Sequence, residues 1–429
     1  MKTLEHKAFN LFDLGLKKAG QVRLFDKNAL DEEGNLIDFE TQVAIVSHYL
    51  QTKGTKSSKP FRNKAHKFIK LWNEWVKGRP QDLVGFEAMV SDYSALDTYL
   101  FGDIYSPPFK PVDKPTFSFI DLFAGIGGFR IAMQNLGGKC IFSSEWDPYA
   151  QKTYFANYGE MPFGDITKKS TKQYIPDNFD VLCAGFPCQA FSIAGYRKGF
   201  EDTRGTLFFD IADILKRKRP KAFFLENVKN LRTHDNGRTY EVIMNTLEGL
   251  GYVTYSKVMN SMDYANIPQN RERIFIVGFD PERVCDYRSF SFPDKIKLTK
   301  NIHDFIENNV TDESFFYREN HRYYTALKKD MVNPDTIYQW RRKYVRENRS
   351  NVCPTLTANM GEGGHNVPLI LTDEGIRKLT PKECLNFQGY PSNFEFPNNI
   401  SRSSMYKQAG NSVTVPLIQR VAQNLISIL

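Results

Sequence analysis

A thiol, a carboxylate and a pair of guanidinium groups stand in this chain where chemistry can be done. Cys188 follows Gly185-Phe186-Pro187 and precedes Gln189. The apolar run before it, Val181-Leu182-Cys183-Ala184, reads as a buried strand. Pro187 has no N–H to donate and turns the backbone off the ladder. Cys188 is thereby offered in a loop, where a thiolate can serve as a nucleophile, whereas Cys183 inside the run reads as core. Glu226 closes the next apolar run, in Leu225-Glu226-Asn227-Val228. The carboxyl end of a central strand opens on the ligand crevice of an open sheet, and an unpaired acid inside a buried strand is costly. Arg271 and Arg273 stand at i, i+2 in Gln269-Asn270-Arg271-Glu272-Arg273, ahead of an apolar strand. On an extended segment they share one face and either reach one site together or make surface salt bridges.

A second constellation suits a small ligand. Asp121-Leu122-Phe123-Ala124-Gly125-Ile126-Gly127-Gly128 puts glycines between a strand and a helix, where the backbone can approach a ligand closely. The spacing is neither the dinucleotide G-x-G-x-x-G nor a P-loop, so a nucleoside-like ligand without polyphosphate fits better than a nucleotide, and a plain βα turn is the other reading. Glu145 ends the second strand, where a ribose contact is expected; Trp146 offers a face for adenine, and Asp165 stands where a third strand would end. Taken singly, each acid reads equally well as a surface carboxylate.

The elements that must position these residues alternate. Strands are expected at 117–123, 140–144, 179–184, 222–225 and 273–279, with helices at 128–136, 148–157, 206–217 and 240–250. This rhythm predicts an α/β doubly wound sheet. It lapses over 281–373, a stretch too long for a loop and read as a smaller, irregular domain; 374–429 returns to the main domain. Residues 1–105 read as a mostly helical extension, with amphipathic segments at 39–50 and 64–76. A Pro-rich linker, 106–115, leads to the main domain at 116–280.

Bulk properties narrow the partners. The 429 residues carry a net charge of +8, concentrated in Lys53–Lys70, Lys216-Arg217-Lys218-Arg219 and Arg341-Arg342-Lys343. Singly these are solvated faces; together they favour a polyanion. No apolar run reaches the ~20 residues of a bilayer span, and the N-terminus lacks a signal-peptide core, so a cytoplasmic protein is expected. The six cysteines lie apart from any histidine cluster, so they are expected reduced and no metal is expected.

The ordered set Phe119-x-Asp121-Leu122-Phe123-x-Gly125-x-Gly127-Gly128, Pro187-Cys188-Gln189, Glu226-Asn227-Val228, Gln269-x-Arg271-x-Arg273 and Gly410-Asn411-Ser412-Val413 resembles the DNA (cytosine-5) methyltransferases of bacterial type II restriction–modification systems. The resemblance runs from about Phe117 to Leu429 and leaves the N-terminal region outside. It implies a Rossmann-like domain that uses S-adenosyl-L-methionine and releases S-adenosyl-L-homocysteine. It further implies a target-recognition domain at 281–373, double-stranded DNA as substrate, a flipped-out cytosine, and a restriction endonuclease as functional partner of a monomeric enzyme. Cys188 matches the nucleophile at cytosine C6, Glu226 the acid that holds N3 and the amino group, and Arg271 and Arg273 the arginines that orient that acid and the pyrimidine O2; Asn227 matches a residue fixing the loop. Phe123, Gly125, Ile126, Gly128, Glu145, Trp146, Asp165, Ile166, Pro187, Leu207, Asn411 and Val413 match cofactor positions. Gln189, Ser192, Arg204 and Thr355 match DNA contacts, while Arg341, Arg342, Arg346 and Arg349 are candidates for phosphate or guanine. Ala194 departs from a serine that reaches into DNA in a similar sequence. Two other readings stand beside this one: a tRNA cytosine-5 methyltransferase of related fold, and a non-catalytic DNA-binding module, which would need a broken catalytic set.

Overall fold

The computed structural model describes residues 37–77, 106–187, 207–341, 343–361 and 367–429. They fall into two compact units. One combines the chain up to Pro111 with Ile141–Asp177; the other combines Val112–Cys140 with Asn178–Leu429.

The larger unit is built on the expected α/β sheet. Strands β1 (Phe117–Leu122), β3 (Val181–Gly185) and β4 (Ala222–Val228) pair in parallel, while β7 (Glu272–Phe279) runs antiparallel to both β4 and β5 (Val253–Asn260). With β2 (Gly138–Ser144), which carries the chain out at Ile141, the sheet order is β2-β1-β3-β4-β7-β5. The central strands are buried on both faces, as continuous apolar runs in a parallel sheet must be. Strand β5 has no such run: seven of its eight positions are only half-buried, so neither a buried run nor clean alternation announces it. Helices α3 (Gly128–Asn135), α5 (Leu207–Lys218), α6 (Arg238–Gly249) and α10 (Val415–Ile426) turn apolar stripes inward, and α10 packs on α3, bringing the C-terminal segment back to the glycine turn.

The stretch without period holds a second, antiparallel sheet. Its order is β12 (Gly375–Lys378), β11 (Leu369–Thr372), β8 (Tyr338–Arg341), β9 (Tyr344–Glu347), and helix α7 (Tyr324–Asp330) supplies Leu327 to a core with Tyr338, Leu369 and Ile376. Four-residue strands are too short to show alternation, which is why the pattern reads as irregular. Strand β12 is followed by α8 (Pro381–Phe387), which Thr380 and Glu383 open with a reciprocal capping box. Arg377 and Glu383, both fully buried, join the two elements through paired bonds of 2.8 and 2.7 Å. Helix α9 (Arg402–Asn411) precedes α10.

In the smaller unit, α1 (Phe39–Thr52) and α2 (Arg62–Lys77) form a helical hairpin across the expected Gly54–Pro60 loop. Their buried positions include Val43, Ile45, Ala65 and Phe68, with buried Phe61 just before α2. Helix α4 (Pro148–Tyr158) starts at Asp147, whose carboxylate accepts from Tyr149 N at 2.9 Å, with Pro148 at the first helical position; it stops at Gly159 in the left-handed conformation. Among the described residues no helix is long and apolar enough to cross a membrane.

Candidate active site

The glycine turn follows β1. Gly125 and Gly127 have φ of 55° and 84°, and Gly127 caps α3 while its N–H closes the turn on Ala124 O at 2.8 Å. Phe123 also sits at φ 54°, which a bulky side chain adopts only where its surroundings hold it. A Cβ at Gly125 would meet nothing within 4 Å, whereas one at Gly128 would lie 2.5 Å from Val413 Cγ2 and 2.8 Å from the Tyr390 hydroxyl. The backbone is thus open on one side and tightly backed on the other by the C-terminal segment. Ile126 is buried, and Asn411 is exposed at the end of α9.

The second cluster sits at the ends of β3 and β4. Gly185 pairs laterally with Glu226, and a Cβ on Gly185 would lie 3.7 Å from Glu226 Oε2. The carboxyl is therefore beside the strand end that lies three residues before Cys188 in sequence. Phe186 is buried and Pro187 exposed, so the chain leaves the core between them. Asn227 ties this exit down: its Nδ2 donates to Phe186 O at 2.9 Å while its Oδ1 accepts from Val228 N at 2.7 Å. Cys188, Gln189, Ala194, Ser192, Arg204 and Arg342 lie outside the described residues. Cys183 is fully buried; desolvation and then the nearby Asp121 push its thiol well above the ordinary range, as befits a core thiol.

The two arginines divide the work. Arg273 Nε stands 3.0 Å from Glu226 Oε1, and Arg273 faces Val228 across the β4–β7 ladder. Arg271 is fully buried and donates to three carbonyls instead: Leu356 O at 2.8 Å, Gly410 O at 3.3 Å and Ser412 O at 2.5 Å. Its charge still acts on Glu226. Burial raises the Glu226 pKa above the ordinary carboxylate value, and Arg273, then Arg271, oppose that rise. Burial likewise lowers the Arg271 pKa, aided by repulsion from Arg273 and opposed by Glu226. The i, i+2 spacing suggests one shared face for the two guanidiniums; that one pairs with the acid and the other cross-links three segments is a result of packing.

Those segments come from far along the chain. Strand β6 (Gln269–Asn270) pairs in parallel with β10 (Cys353–Pro354), and half-buried Thr355 donates its hydroxyl to Asn270 O at 2.6 Å. Gly410 lies against the same stretch: a Cβ there would sit 2.2 Å from the Thr357 carbonyl carbon and oxygen. Two participants escape sequence reasoning. Tyr390, whose hydroxyl bonds Ser412 Oγ at 2.5 Å and is raised in pKa by burial, carries no motif or period. The carbonyls that receive Arg271 are backbone groups, which no residue type announces. Leu207 opens α5, half-buried.

The smaller unit holds the remaining expected cofactor positions. Glu145 is buried, its carboxylate accepting from Asp147 N at 2.8 Å, while Trp146 is 77% exposed. Instead of a third strand, a single parallel bridge joins Ser144 to Phe163: Phe163 N donates to Ser143 O at 2.9 Å and Glu145 N to Phe163 O at 2.8 Å. Asp165 follows, accepting from Thr167 N and Oγ1 at 3.0 and 2.8 Å; Ile166 is buried. In the small sheet, Arg341, Arg346 and Arg349 are exposed on or beside the β8–β9 hairpin. Among the described residues no three His, Cys, Asp or Glu side chains are grouped to hold a metal ion.

A glycine turn after one strand and a paired acid at the end of another, on a sheet with a reversed strand, define a class, and comparison with known proteins shows it. The chain belongs to the C-5 cytosine-specific DNA methylase family, whose model matches residues 117–427. Among individual relatives it is similar to the type II methyltransferases M.Bsp6I of Bacillus sp. (51% identity over 308 residues, 71% of this chain and 96% of that protein) and M.HpaII of Haemophilus parainfluenzae (46% over 347 residues, 75% and 93%). M.HhaI of Haemophilus parahaemolyticus is 43% identical over 320 residues, covering 72% and 93%. Among solved structures, the S. pombe Dnmt2 methyltransferase shares the fold at a TM-score of 0.55 and 20% identity, over 72% of this chain and 98% of that one.

Proposed function

We propose that this DNA cytosine-5 methyltransferase acts on a cytosine flipped out of a specific duplex sequence, through a covalent bond between Cys188 and C6. The observation that carries the reading is the Glu226–Arg273 pair beside Gly185, three residues before Cys188, in a chain of this family. Cytosine C5 is a poor nucleophile, and its edge is closed inside a stacked duplex. Attack by the Cys188 thiolate on C6 moves the C5–C6 π pair toward C5 and N3. Glu226, whose burial favours the protonated form, donates to N3 and offsets the charge that develops there. Arg273 keeps the carboxyl aimed, and Asn227 holds the Phe186 carbonyl, two residues before Cys188. C5 then takes the methyl group, a base removes the C5 proton, and the C5–C6 double bond re-forms as the C6–S bond breaks, returning the thiolate while N3 gives its proton back to Glu226.

S-adenosyl-L-methionine supplies the methyl group when bound and leaves as S-adenosyl-L-homocysteine. Phe123, Gly125, Ile126, Gly128, Glu145, Trp146, Asp165, Ile166, Pro187, Leu207, Asn411 and Val413 would hold it. The donor set fits: the open face of Gly125 admits a close ligand, the exposed indole of Trp146 can cover a base, and the turn lacks P-loop spacing, which suits a sulfonium cofactor without phosphate. The 281–373 region reads DNA, with Thr355 as a contact and Arg341, Arg342, Arg346 and Arg349 as phosphate or guanine partners, while Gln189, Ser192 and Arg204 of the catalytic domain add further contacts. The protein acts as a cytoplasmic monomer that shields host DNA from a cognate endonuclease, with an N-terminal extension at 1–105, a linker at 106–115, a catalytic domain at 116–280, a target-recognition domain at 281–373 and a return to the catalytic domain at 374–429.

The test uses duplex DNA carrying 5-fluorocytosine. Fluorine cannot leave as a proton, so elimination stops and a protein–DNA adduct accumulates, mapping by mass spectrometry to Cys188. An adduct on Cys183, or methyl transfer to tRNA but not to duplex DNA, would overturn the reading.

A further inference from the structure

Residues before Phe117 lie outside the family match, yet α1 makes specific bonds to the segments that carry Glu145 and Asp165. Strand β2 is an edge strand. On its outer side Phe163 donates its N–H to Ser143 O and accepts from Glu145 N, which leaves the Ser143 N–H, fully buried, to find another acceptor. That acceptor is His48 Nε2, at 3.1 Å; His48 Nδ1 bonds Ala44 O at 2.8 Å within α1, which orients the ring. Glu160 Oε1 lies 3.3 Å from the same Nε2 and accepts from Ser143 Oγ at 2.8 Å, all three side chains being inaccessible to water. One residue earlier, Ser47 Oγ accepts from Met161 N at 3.1 Å, two residues before Phe163 and four before Asp165. The His48 ring also packs on Phe163 at 4.8 Å. Buried N–H groups almost always find partners, and here the partners are side chains of a helix about 95 residues upstream.

We propose that α1 is a clamp on the adenosine half of the cofactor site, with His48 and Ser47 as positioning residues. His48 fixes the end of β2 two residues before Glu145, and Ser47 fixes the start of the segment that ends in Asp165. Together they set the separation of the two carboxylates that would grip the ribose and the adenine amino group. The proposal rests on the cofactor reading above. It also gives the N-terminal region a task distinct from DNA binding. Gln51 supplies an internal control: its Nε2 donates to Tyr158 O at 2.7 Å, an equally specific bond from α1 that goes to the end of α4 and not to either carboxylate-bearing segment.

The experiment measures S-adenosylhomocysteine binding by calorimetry, duplex DNA affinity and melting temperature on the full chain. His48→Ala and Ser47→Ala each weaken S-adenosylhomocysteine binding at least fivefold and leave DNA affinity within twofold; Gln51→Ala stays within twofold on both. His48→Gln, whose side-chain carbonyl can accept from Ser143 N, recovers most of the loss. Unchanged S-adenosylhomocysteine affinity in both His48→Ala and Ser47→Ala overturns the clamp. So does a loss that tracks melting temperature equally across all three α1 variants. If His48→Ala does not fold, Ser47→Ala against Gln51→Ala decides. Failure of the unaltered protein to bind S-adenosylhomocysteine would refute the cofactor reading itself, a result distinct from failure of the clamp alone.

Discussion

Replacing Arg273 by alanine isolates the ion pair at the centre of the site. Arg273 Nε and Glu226 Oε1 are 3.0 Å apart, with side chains 15% and 10% exposed. At an effective dielectric near 20 that separation corresponds to about 5 kcal/mol of attraction, and removing one partner of such a buried pair typically costs about 3–5 kcal/mol. The slight exposure argues for the lower end, about 3 kcal/mol with the carboxyl ionised. The pH dependence follows from the raised Glu226 pKa, caused by burial. A carboxyl whose folded pKa exceeds its unfolded value binds more protons folded than unfolded. Its contribution to stability is therefore full below the ordinary carboxylate pKa and declines as pH rises through the folded value. Without Arg273 the folded value rises further, so the decline deepens and extends to higher pH. Urea unfolding at pH 5 and pH 8 should show Arg273→Ala losing more at pH 8, about 3 kcal/mol, than at pH 5, where a larger share of the carboxyl is protonated and the bond to Glu272 O makes up more of the loss. Adding Glu226→Gln should remove the difference between the two pH values. Methylation by Arg273→Ala should fall by at least ~100-fold, the scale of a misplaced general acid. Equal losses at pH 5 and pH 8, or a difference that survives Glu226→Gln, would refute the electrostatic account.

Gly410→Ala places a Cβ 2.2 Å from the Thr357 backbone, which cannot yield as a side chain would, so stability should drop by about 3 kcal/mol in urea unfolding. Asn227→Ala frees the Phe186 carbonyl, and turnover should fall about tenfold, the equivalent of one buried hydrogen bond, with cofactor affinity unchanged in a binding assay. Cys188→Ala should abolish methylation in a radiolabel assay, since the neighbouring thiol, Cys183, is fully buried in the core and cannot replace it as the C6 nucleophile. DNA affinity should fall steeply between about 50 and 200 mM salt, measured by fluorescence anisotropy, because phosphate contacts release counterions.

Local sequence was enough for most elements. The helices at 128–135, 148–158, 207–218 and 238–249 and the central strands lie within a few residues of where periodicity and apolar runs put them, because buried strands need unbroken apolar runs and helices need an apolar stripe. Strand β5 and the four short strands of the second sheet were not legible, since half-burial and brevity erase both signals. In the site, residue type and order pointed to Glu226, Arg271, Arg273 and the glycine turn. Which arginine meets the acid was decided by the β4–β7 register and by carbonyls of Leu356, Gly410 and Ser412, groups that look the same in every residue. The N-terminal helices were readable as helices but not as partners of the edge of β2. A buried N–H must be satisfied, but whether by His48 or by a neighbouring strand is set by which surface packs there, and that is a property of the folded chain alone.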